Sequence, residues 1–202
     1  MKLSLTRSVI LAVALASLAG CDSEKEISSI DVEYRKNKEG KLILYEISKE
    51  EALTCTLVQD HPNGHRRFEI RFSNGIRDGN FTFWRENETT LSKGEYKNGV
   101  RHGKFTAYGG AGELISEKTY ANGKLNGPCN FYYRYSNDEV ERFFEELEEN
   151  DLESGELKAQ SVLRYTCKFV DDAPSGEYNS YFYEGEEANS ASPLLRERGF
   201  FD

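Results

Sequence analysis

The residues best suited to chemistry in this 202-residue chain are its cysteines and histidines, and Cys55, His61 and His65 are the first group to consider. Thiolate and imidazole are ligands that zinc prefers, and a closed structural site needs four of them. His61 and His65 lie four positions apart, but the Pro-Asn-Gly between them forbids the helix that would align their rings. No second cluster of Cys or His completes the set. The sequence therefore predicts no metal site and no cofactor.

The sequence contains no recognisable set of catalytic groups. No serine lies in the Gly-x-Ser-x-Gly turn that exposes a nucleophile. The carboxylates of residues 150–156 lie near a glycine, but they lack the spacing of a twelve-residue calcium loop. The sequence shows no combination of a nucleophile, a general base and an orienting group, which a catalytic site of this kind needs. We therefore expect a protein that is not an enzyme.

Residues 1–20 have the pattern of an export signal. Lys2 and Arg7 are followed by an almost unbroken apolar run over residues 8–18, and the segment runs into Leu-Ala-Gly-Cys, which ends at Cys21. This ending resembles the lipobox of bacterial lipoproteins, in which the cysteine receives acyl chains such as palmitate and becomes the new N-terminus. The resemblance implies a protein of the bacterial cell envelope that faces the periplasm or exterior and meets the membrane only through its lipid anchor. An ordinary cleaved signal peptide is the alternative.

The domain organisation follows from this signal. Asp22 resembles the residue that retains enterobacterial lipoproteins in the inner membrane, which favours that membrane over the outer one. Residues 21–30 then form the lipidated cysteine and a polar tether, and residues 31–202 form one domain. No other stretch reaches 18 apolar residues, so we expect no further membrane span.

Three cysteines remain if Cys21 is acylated, and three is an odd number for an oxidising compartment. Cys129 and Cys167 fall on strands that become neighbours in a meander once the acidic segment between them loops out. A disulfide between these two residues, with Cys55 as a free thiol, is one prediction. Three buried and inert thiols are the alternative, since connectivity cannot be deduced from sequence alone.

A 24-residue period organises the domain that would carry these thiols. Three Asn-Gly pairs recur at this interval, each preceded by an aromatic residue and followed four positions later by a second glycine. Asn-Gly between alternating segments is the strongest short-range hairpin signal, and the second glycine permits a bulge. We therefore predict a mainly β fold, an elongated antiparallel meander with one hairpin per unit. The repeat-turn residues are Asn74, Gly75, Gly79, Asn98, Gly99, Gly103, Asn122, Gly123 and Gly127.

These turns resemble the bacterial variant of the MORN repeat, which also occurs in proteins labelled as YwqK-type antitoxin components. The pattern of aromatic, spacer, Asn-Gly, three residues, glycine and aromatic strand lies at 72–81, 96–105 and 120–129, where the third copy departs at its end. A degenerate copy at 169–178 has Asp172 in place of the turn glycine. The resemblance implies a single-layer sheet used for binding, and it transfers no catalytic residue.

An acidic insertion at about 138–156 interrupts the period. Apolar residues at i, i+3, i+4 and i+7 predict an amphipathic helix over 138–149 that lies on the sheet, with Asp138 and Glu141 as its N-terminal capping pattern. The helix either covers an exposed edge or face of the sheet or serves as an acidic recognition element. Its apolar stripe consists of Val140, Phe143, Phe144 and Leu147.

An aromatic column is the candidate binding surface. Trp84, Tyr108 and Tyr132 occupy equivalent places in successive units, on the strand face opposite to Phe81 and Phe105. Exposed aromatic patches mark binding surfaces, and Trp and Tyr are typical hot-spot residues. The alternative is a core column that holds the repeats together.

Charge restricts the partners. The formal net charge is −9, and it becomes −11 without residues 1–20, which contain two basic residues and no acidic ones. This balance disfavours nucleic acid and anionic lipid surfaces and suits a basic protein partner. We expect a non-catalytic protein-binding module at the envelope. The family label implies a first alternative, an immunity or antitoxin-like protein that neutralises a toxin. The second alternative is a structural scaffold or a carbohydrate-contacting protein.

Overall fold

The computed structural model describes residues 25–47, 49–134, 136–149, 161–182 and 194–201. The expected signal peptide, Cys21 and Asp22 lie outside these residues. The elements are β1 (Glu26–Ser28), a 3₁₀ turn (Ser29–Asp31), β2 (Val32–Lys36), β3 (Leu42–Glu46), β4 (Cys55–Asp60), β5 (Arg66–Ser73), β6 (Ile76–Trp84), β7 (Thr90–Lys97), β8 (Val100–Tyr108), β9 (Leu114–Ala121), β10 (Lys124–Tyr132), α1 (Asn137–Glu149), β11 (Leu163–Val170), β12 (Ala173–Phe182) and β13 (Leu194–Phe201).

Eleven of the described strands form one sheet in the order β1-β4-β5-β6-β7-β8-β9-β10-β11-β12-β13. From β4 onward each strand pairs antiparallel with the next strand in the chain, whereas β1 pairs parallel with β4. The β2–β3 hairpin is a separate two-stranded sheet. The predicted fold class, a mainly β antiparallel meander with one short helix, is confirmed.

The Asn-Gly pairs form the tight turns that the sequence predicts. The three asparagines have φ between 48° and 51°, and the glycines that follow them have φ between 71° and 85°. Two central residues with positive φ define a type I′ turn, whose twist matches that of the flanking strands. Asp171 and Asp172 have φ of 50° and 72°, so the degenerate copy makes the same turn between β11 and β12.

The second glycines lie at the predicted bulges. Gly79, Gly103 and Gly127 have φ of 106°, 68° and 125°, a region that glycine enters without steric cost. The strand pairing shifts register beside each of them. A bulge bends its strand and increases the local twist. The unit is therefore a bulged hairpin repeated along the sheet.

The turns at the other end of the hairpins extend the period upstream. Segments 37–41, 61–65, 85–89 and 109–113 start 24 residues apart. In each, the first N–H donates to the fifth carbonyl at 2.7–2.9 Å, and the fourth N–H donates to the first carbonyl at 2.9–3.2 Å. The fourth residue always has positive φ, although it is Glu88 in one turn and glycine in the others. The repeat thus begins at the β2–β3 hairpin, which the sequence did not reveal.

The described core lies at the N-terminal end, where the β2–β3 hairpin packs on β4–β6. Leu44 donates its N–H to the Gly75 carbonyl at 3.0 Å, and Gly75 donates to the Leu53 carbonyl at 2.6 Å. Ile27 of β1 is buried here, opposite Leu57. Residues 26–28 of the segment expected to be a tether are therefore a strand of the sheet. The buried cluster is Ile27, Leu44, Cys55, Leu57, Ile70, Phe72 and Phe81.

Helix α1 is present where predicted, but its cap differs. Ser136 donates its N–H to Glu139 Oε2 at 2.7 Å, and Glu139 returns its N–H to Ser136 Oγ at 3.4 Å. This reciprocal pair is a capping box, so the cap begins at Ser136 and not at Asp138. Phe144 is half-buried, while the side chains of Val140, Phe143 and Leu147 lie outside the described part. The placement of the helix on the sheet stays a prediction.

Candidate binding faces of the sheet

One face of the sheet carries a continuous row of polar side chains, and we call it the polar face. Its members lie directly opposite one another through eight successive strand pairings, from β5 to β13. Because side chains alternate along a strand, all of them project from the same side. The row is Glu69, Thr82, Lys93, Thr106, Glu117, Asn130, Thr166, Asn179 and Arg198.

Hydrogen bonds link several neighbours in this row. Thr166 Oγ1 donates to Asn130 Oδ1 at 2.7 Å, and Asn130 Nδ2 donates to Glu117 Oε2 at 3.4 Å. Arg198 Nε donates to Asn179 Oδ1 at 3.2 Å. The Thr106 hydroxyl is buried and has no hydrogen-bond partner, which makes it a gap in the row. Such chains of side-chain hydrogen bonds hold the polar groups in one orientation.

Glu117 is the most connected carboxylate of the polar face. Lys104 Nζ pairs with its Oε1, and the Tyr132 hydroxyl donates to its Oε2 at 3.0 Å. The Lys104 ammonium lowers the pKa of Glu117, and the bonds from Tyr132 and Asn130 act in the same direction, while burial opposes them. Burial, followed by the bond to Glu117, raises the pKa of Tyr132 to about 12. Glu117 therefore stays charged at neutral pH, and Tyr132 stays a neutral donor.

The predicted aromatic column lies beside the polar row. Trp84, Tyr108 and Tyr132 end β6, β8 and β10, and all three are half-buried. They stand two strands apart, which corresponds to roughly 9–10 Å. Lys93 Nζ lies 5.7 Å from the centre of the Tyr108 ring. None of the three is fully buried, so part of each side chain is open to a partner.

Side chains from the preceding turn hold the ends of these strands. His61 Nε2 bonds the Trp84 carbonyl at 3.0 Å, and Arg85 donates to the Tyr108 carbonyl at 2.6 Å. His61 and Arg85 are 24 residues apart, so the same bond recurs in successive units. Tyr133 makes the corresponding bond to the Tyr181 carbonyl at 2.7 Å. His61 therefore has a structural role.

His65 and Cys55, the other two residues of the possible metal site, also have structural contacts. His65 Nδ1 bonds the Glu86 carbonyl at 3.1 Å. Cys55 is buried in the N-terminal core opposite Phe72. The described residues hold no group of three or more His, Cys, Asp or Glu that could bind a metal ion.

Cys129 and Cys167 meet on the opposite side of the sheet, which we call the aromatic face. They are direct cross-strand partners on β10 and β11, both are buried, and both are free thiols in the structure. Burial raises the pKa of Cys167, and the neighbouring Cys129 raises it further. The neighbouring strands were predicted, and the disulfide itself stays a prediction.

Aromatic rings pack in succession on the aromatic face. The centre of the Phe105 ring is 5.2 Å from that of Phe81 and 4.9 Å from that of Tyr120. Gly94 makes room for the first pair, because a Cβ there would lie 2.9 Å from both rings. Strand alternation in the sequence placed Phe81 and Phe105 on the face opposite to Trp84, but it did not predict that their rings form this packed column. The aromatic two positions before each Asn-Gly pair was the available signal.

A cavity of about 540 Å³ lies at the C-terminal end of the aromatic face. Phe131, Tyr165, Phe169 and Phe201 contribute rings to its wall, with Arg164 and Arg196 among its polar groups. Small-molecule sites are usually concave, largely apolar and of roughly 300–1,000 Å³. The sequence carried no recognisable sign of this cavity, since its lining comes from four strands and the segments beside them.

Comparison of the chain with protein-family models and with curated proteins found no match. No helix among the described residues has the length and apolar character needed to cross a membrane.

Proposed function

We propose that this protein is a non-catalytic protein-binding module of MORN-type hairpin repeats, held at the bacterial envelope by a lipid on Cys21. The polar face of the sheet is its contact surface. The observation that carries the proposal is the uninterrupted register of the polar row beside Trp84, Tyr108 and Tyr132. Repetition of one hairpin places equivalent groups at equal intervals, which suits an extended partner.

Several features support a protein as the partner. Half-buried aromatic side chains at the ends of β6, β8 and β10 can serve as hot-spot anchors that are already ordered before binding. The hydrogen bonds at Glu117, Asn130 and Thr166 lower the entropy lost when a partner docks. The net charge of −9 favours a basic partner through electrostatic steering. An immunity-type protein that caps a basic toxin is one member of this class.

A carbohydrate contact is the second candidate. Hydroxyl, amide and charged side chains all occur along the polar row, and aromatic rings lie at its edge. Tyr and Trp rings combine an apolar face with a polar group, a combination that fits the ring faces and hydroxyls of sugars. This candidate uses the same face, so capture experiments separate it from a protein partner.

Site-specific photo-crosslinking on the intact chain tests the proposal. Lys93 and Ser92 are neighbours on β7, and they lie on the polar and the aromatic face respectively. A crosslinking residue at position 93 should capture one dominant protein from living cells, while the same residue at position 92 should not. Equal capture from both positions, or from neither, would overturn the polar face as the contact surface. Captured glycan in place of protein would favour the second candidate.

A further inference from the structure

The cavity on the aromatic face is built like a ligand site. Its wall holds aromatic rings from β10, β11 and β13 and the guanidinium groups of Arg164 and Arg196. It lies on the side of the sheet opposite to the polar row, so it is independent of the partner surface proposed above.

The shape of the cavity follows from the sheet register. Phe131 lies directly opposite Tyr165, and Tyr165 lies directly opposite Ser180. The short side chain of Ser180 leaves a space where a third large residue would fill the row. Cys167, in the next row, is also small. A depression therefore forms between large aromatic side chains.

The aromatic wall is ordered by its own ring contacts. The Phe131 and Tyr165 rings are 6.1 Å apart, and Tyr165 lies 5.8 Å from Tyr178. Tyr178 in turn lies 5.0 Å from Phe201. Burial raises the pKa of Tyr165 to about 12, so its hydroxyl remains a neutral donor at physiological pH. The rings themselves are apolar and uncharged, and the Tyr178 hydroxyl donates to Glu197 Oε1 at 2.9 Å.

The charge at this cavity runs against that of the whole protein. In a chain of net charge −9, two arginines are among the described residues that line the cavity, and the Glu197 carboxylate opposite Ser180 is bonded to the Tyr178 hydroxyl. Arg164 lies 5.7 Å from the centre of the Tyr133 ring, whose hydroxyl is fixed by the Tyr181 carbonyl. Among the described residues, no carboxylate forms an ion pair with Arg164. A guanidinium placed in this way presents its N–H groups to an anionic oxygen.

We infer that this cavity binds a small amphipathic anion, with an apolar ring or short acyl body against the aromatic wall. Its carboxylate or phosphate head group accepts hydrogen bonds from Arg164. A neutral molecule of the same shape leaves the guanidinium without its partner and binds more weakly. The cavity volume suits a ligand of this size.

Benzoate and benzamide are the probes that test this inference, because they have the same shape and differ in charge. Both dissolve freely in water, so saturation-transfer NMR can follow them with the intact chain. Benzoate should bind saturably, with an affinity at least about fivefold above that of benzamide, a difference of roughly 1 kcal/mol. Arg164→Gln should abolish this preference, and Phe201→Ala should weaken both probes.

Lys168→Gln is the matched control. Lys168 lies on β11, is exposed, and belongs to the polar face, so the variant removes the same charge without touching the cavity. It should retain the benzoate preference. The inference is overturned if neither probe binds, if the two bind equally, or if Arg164→Gln and Lys168→Gln lower the preference alike. Far-UV circular dichroism of each variant verifies that the sheet is intact.

Discussion

Cys129 of β10 lies directly opposite Cys167 of β11, although α1 separates the two strands in the chain. Residues that face each other across antiparallel strands have Cα atoms about 4.5–5.5 Å apart, within the range of a disulfide. Cys55 lies at the other end of the sheet, in the N-terminal core. Only one pair of these three thiols is placed to react.

Oxidation should therefore join Cys129 to Cys167 and leave Cys55 as a thiol. A loop of this length should stabilise the folded state by about 4 kcal/mol, so the midpoint of denaturation should fall when reductant is added. Thiol titration of the unfolded chain measures how many thiols remain after oxidation. Cys129→Ser and Cys167→Ser should each abolish the effect of reductant, and Cys55→Ser should preserve it. An effect that depends on Cys55 would contradict this pairing.

Gly75→Ala should destabilise the protein far more than Gly64→Ala. Both glycines have positive φ, of 71° and 89°, so each substitution costs roughly 1–2 kcal/mol of backbone strain. A Cβ at position 75 would also press on Ile43 Cγ2 and lie 2.8 Å from the Leu44 carbonyl oxygen, whereas position 64 is open. Urea denaturation should show a loss of about 3 kcal/mol or more at position 75. Equal losses would mean that the β2–β3 hairpin does not pack against this turn.

Thr106→Val should leave stability unchanged or raise it. The Thr106 hydroxyl is buried without a partner, and replacing an unsatisfied polar group by an apolar group of the same shape removes its desolvation cost of about 1–3 kcal/mol. Thr166→Val is the matched control on the same row, since it removes the 2.7 Å bond to Asn130 and should cost about 1 kcal/mol. Thermal unfolding of both variants gives the comparison. If Thr106→Val lost as much stability as Thr166→Val, the Thr106 hydroxyl would have a hydrogen-bond partner after all.

The pair of Glu117 and Lys104 should make stability depend on pH in the acid range. The folded-state pKa of Glu117 lies below the ordinary value of 4.5, chiefly because of Lys104. Its contribution is therefore fully present above that value and is lost as the pH falls through the lower, folded pKa. Denaturation curves of Glu117→Gln should show less acid destabilisation than wild type, with Glu95→Gln on β7 as the control. An identical response in all three proteins would exclude this pair as a source of acid sensitivity.

Cys21 should carry the lipid that anchors the protein. Cells fed an alkyne analogue of palmitate should label the wild-type chain, and Cys21→Ser should lose the label and leave the membrane fraction. Cys55→Ser should keep both the label and the location. A wild-type chain without label would favour an ordinary cleaved signal, and label retained by Cys21→Ser would mean that the lipid is on another residue. Fractionation of inner from outer membranes then tests the sorting role of Asp22.

The hairpin units could be predicted from the sequence because their signals are local. A type I′ turn requires two successive residues with positive φ, and Asn74-Gly75 is the pair that adopts it at least cost. Strand alternation then places Trp84 and Phe83 on opposite faces, as expected. The cap of α1 was misassigned by two residues, because Ser136 and Asp138 both precede a glutamate at the spacing of a capping box.

Other features depend on contacts that no local pattern encodes. The parallel pairing of β1 with β4 and the packing of Leu44 on Gly75 join segments that are distant in the chain, and backbone hydrogen bonds there need no particular side chain. The turn at 85–89 could not be recognised from the sequence as a member of the repeat, since Glu88 occupies the position that is glycine in the equivalent turns.

The sequence by itself determined a repeated antiparallel hairpin and an acidic balance of charge, and it predicts a lipid anchor at Cys21, because turn chemistry, composition and hydrophobic length are properties of short segments. Only the tertiary structure decided that Glu117, Asn130 and Thr166 form one row, that Cys129 faces Cys167, and that a cavity opens beside Ser180. The register of the strands determines the polar row, the cysteine pair and the cavity. A shift of one residue in that register would move every side chain to the other face.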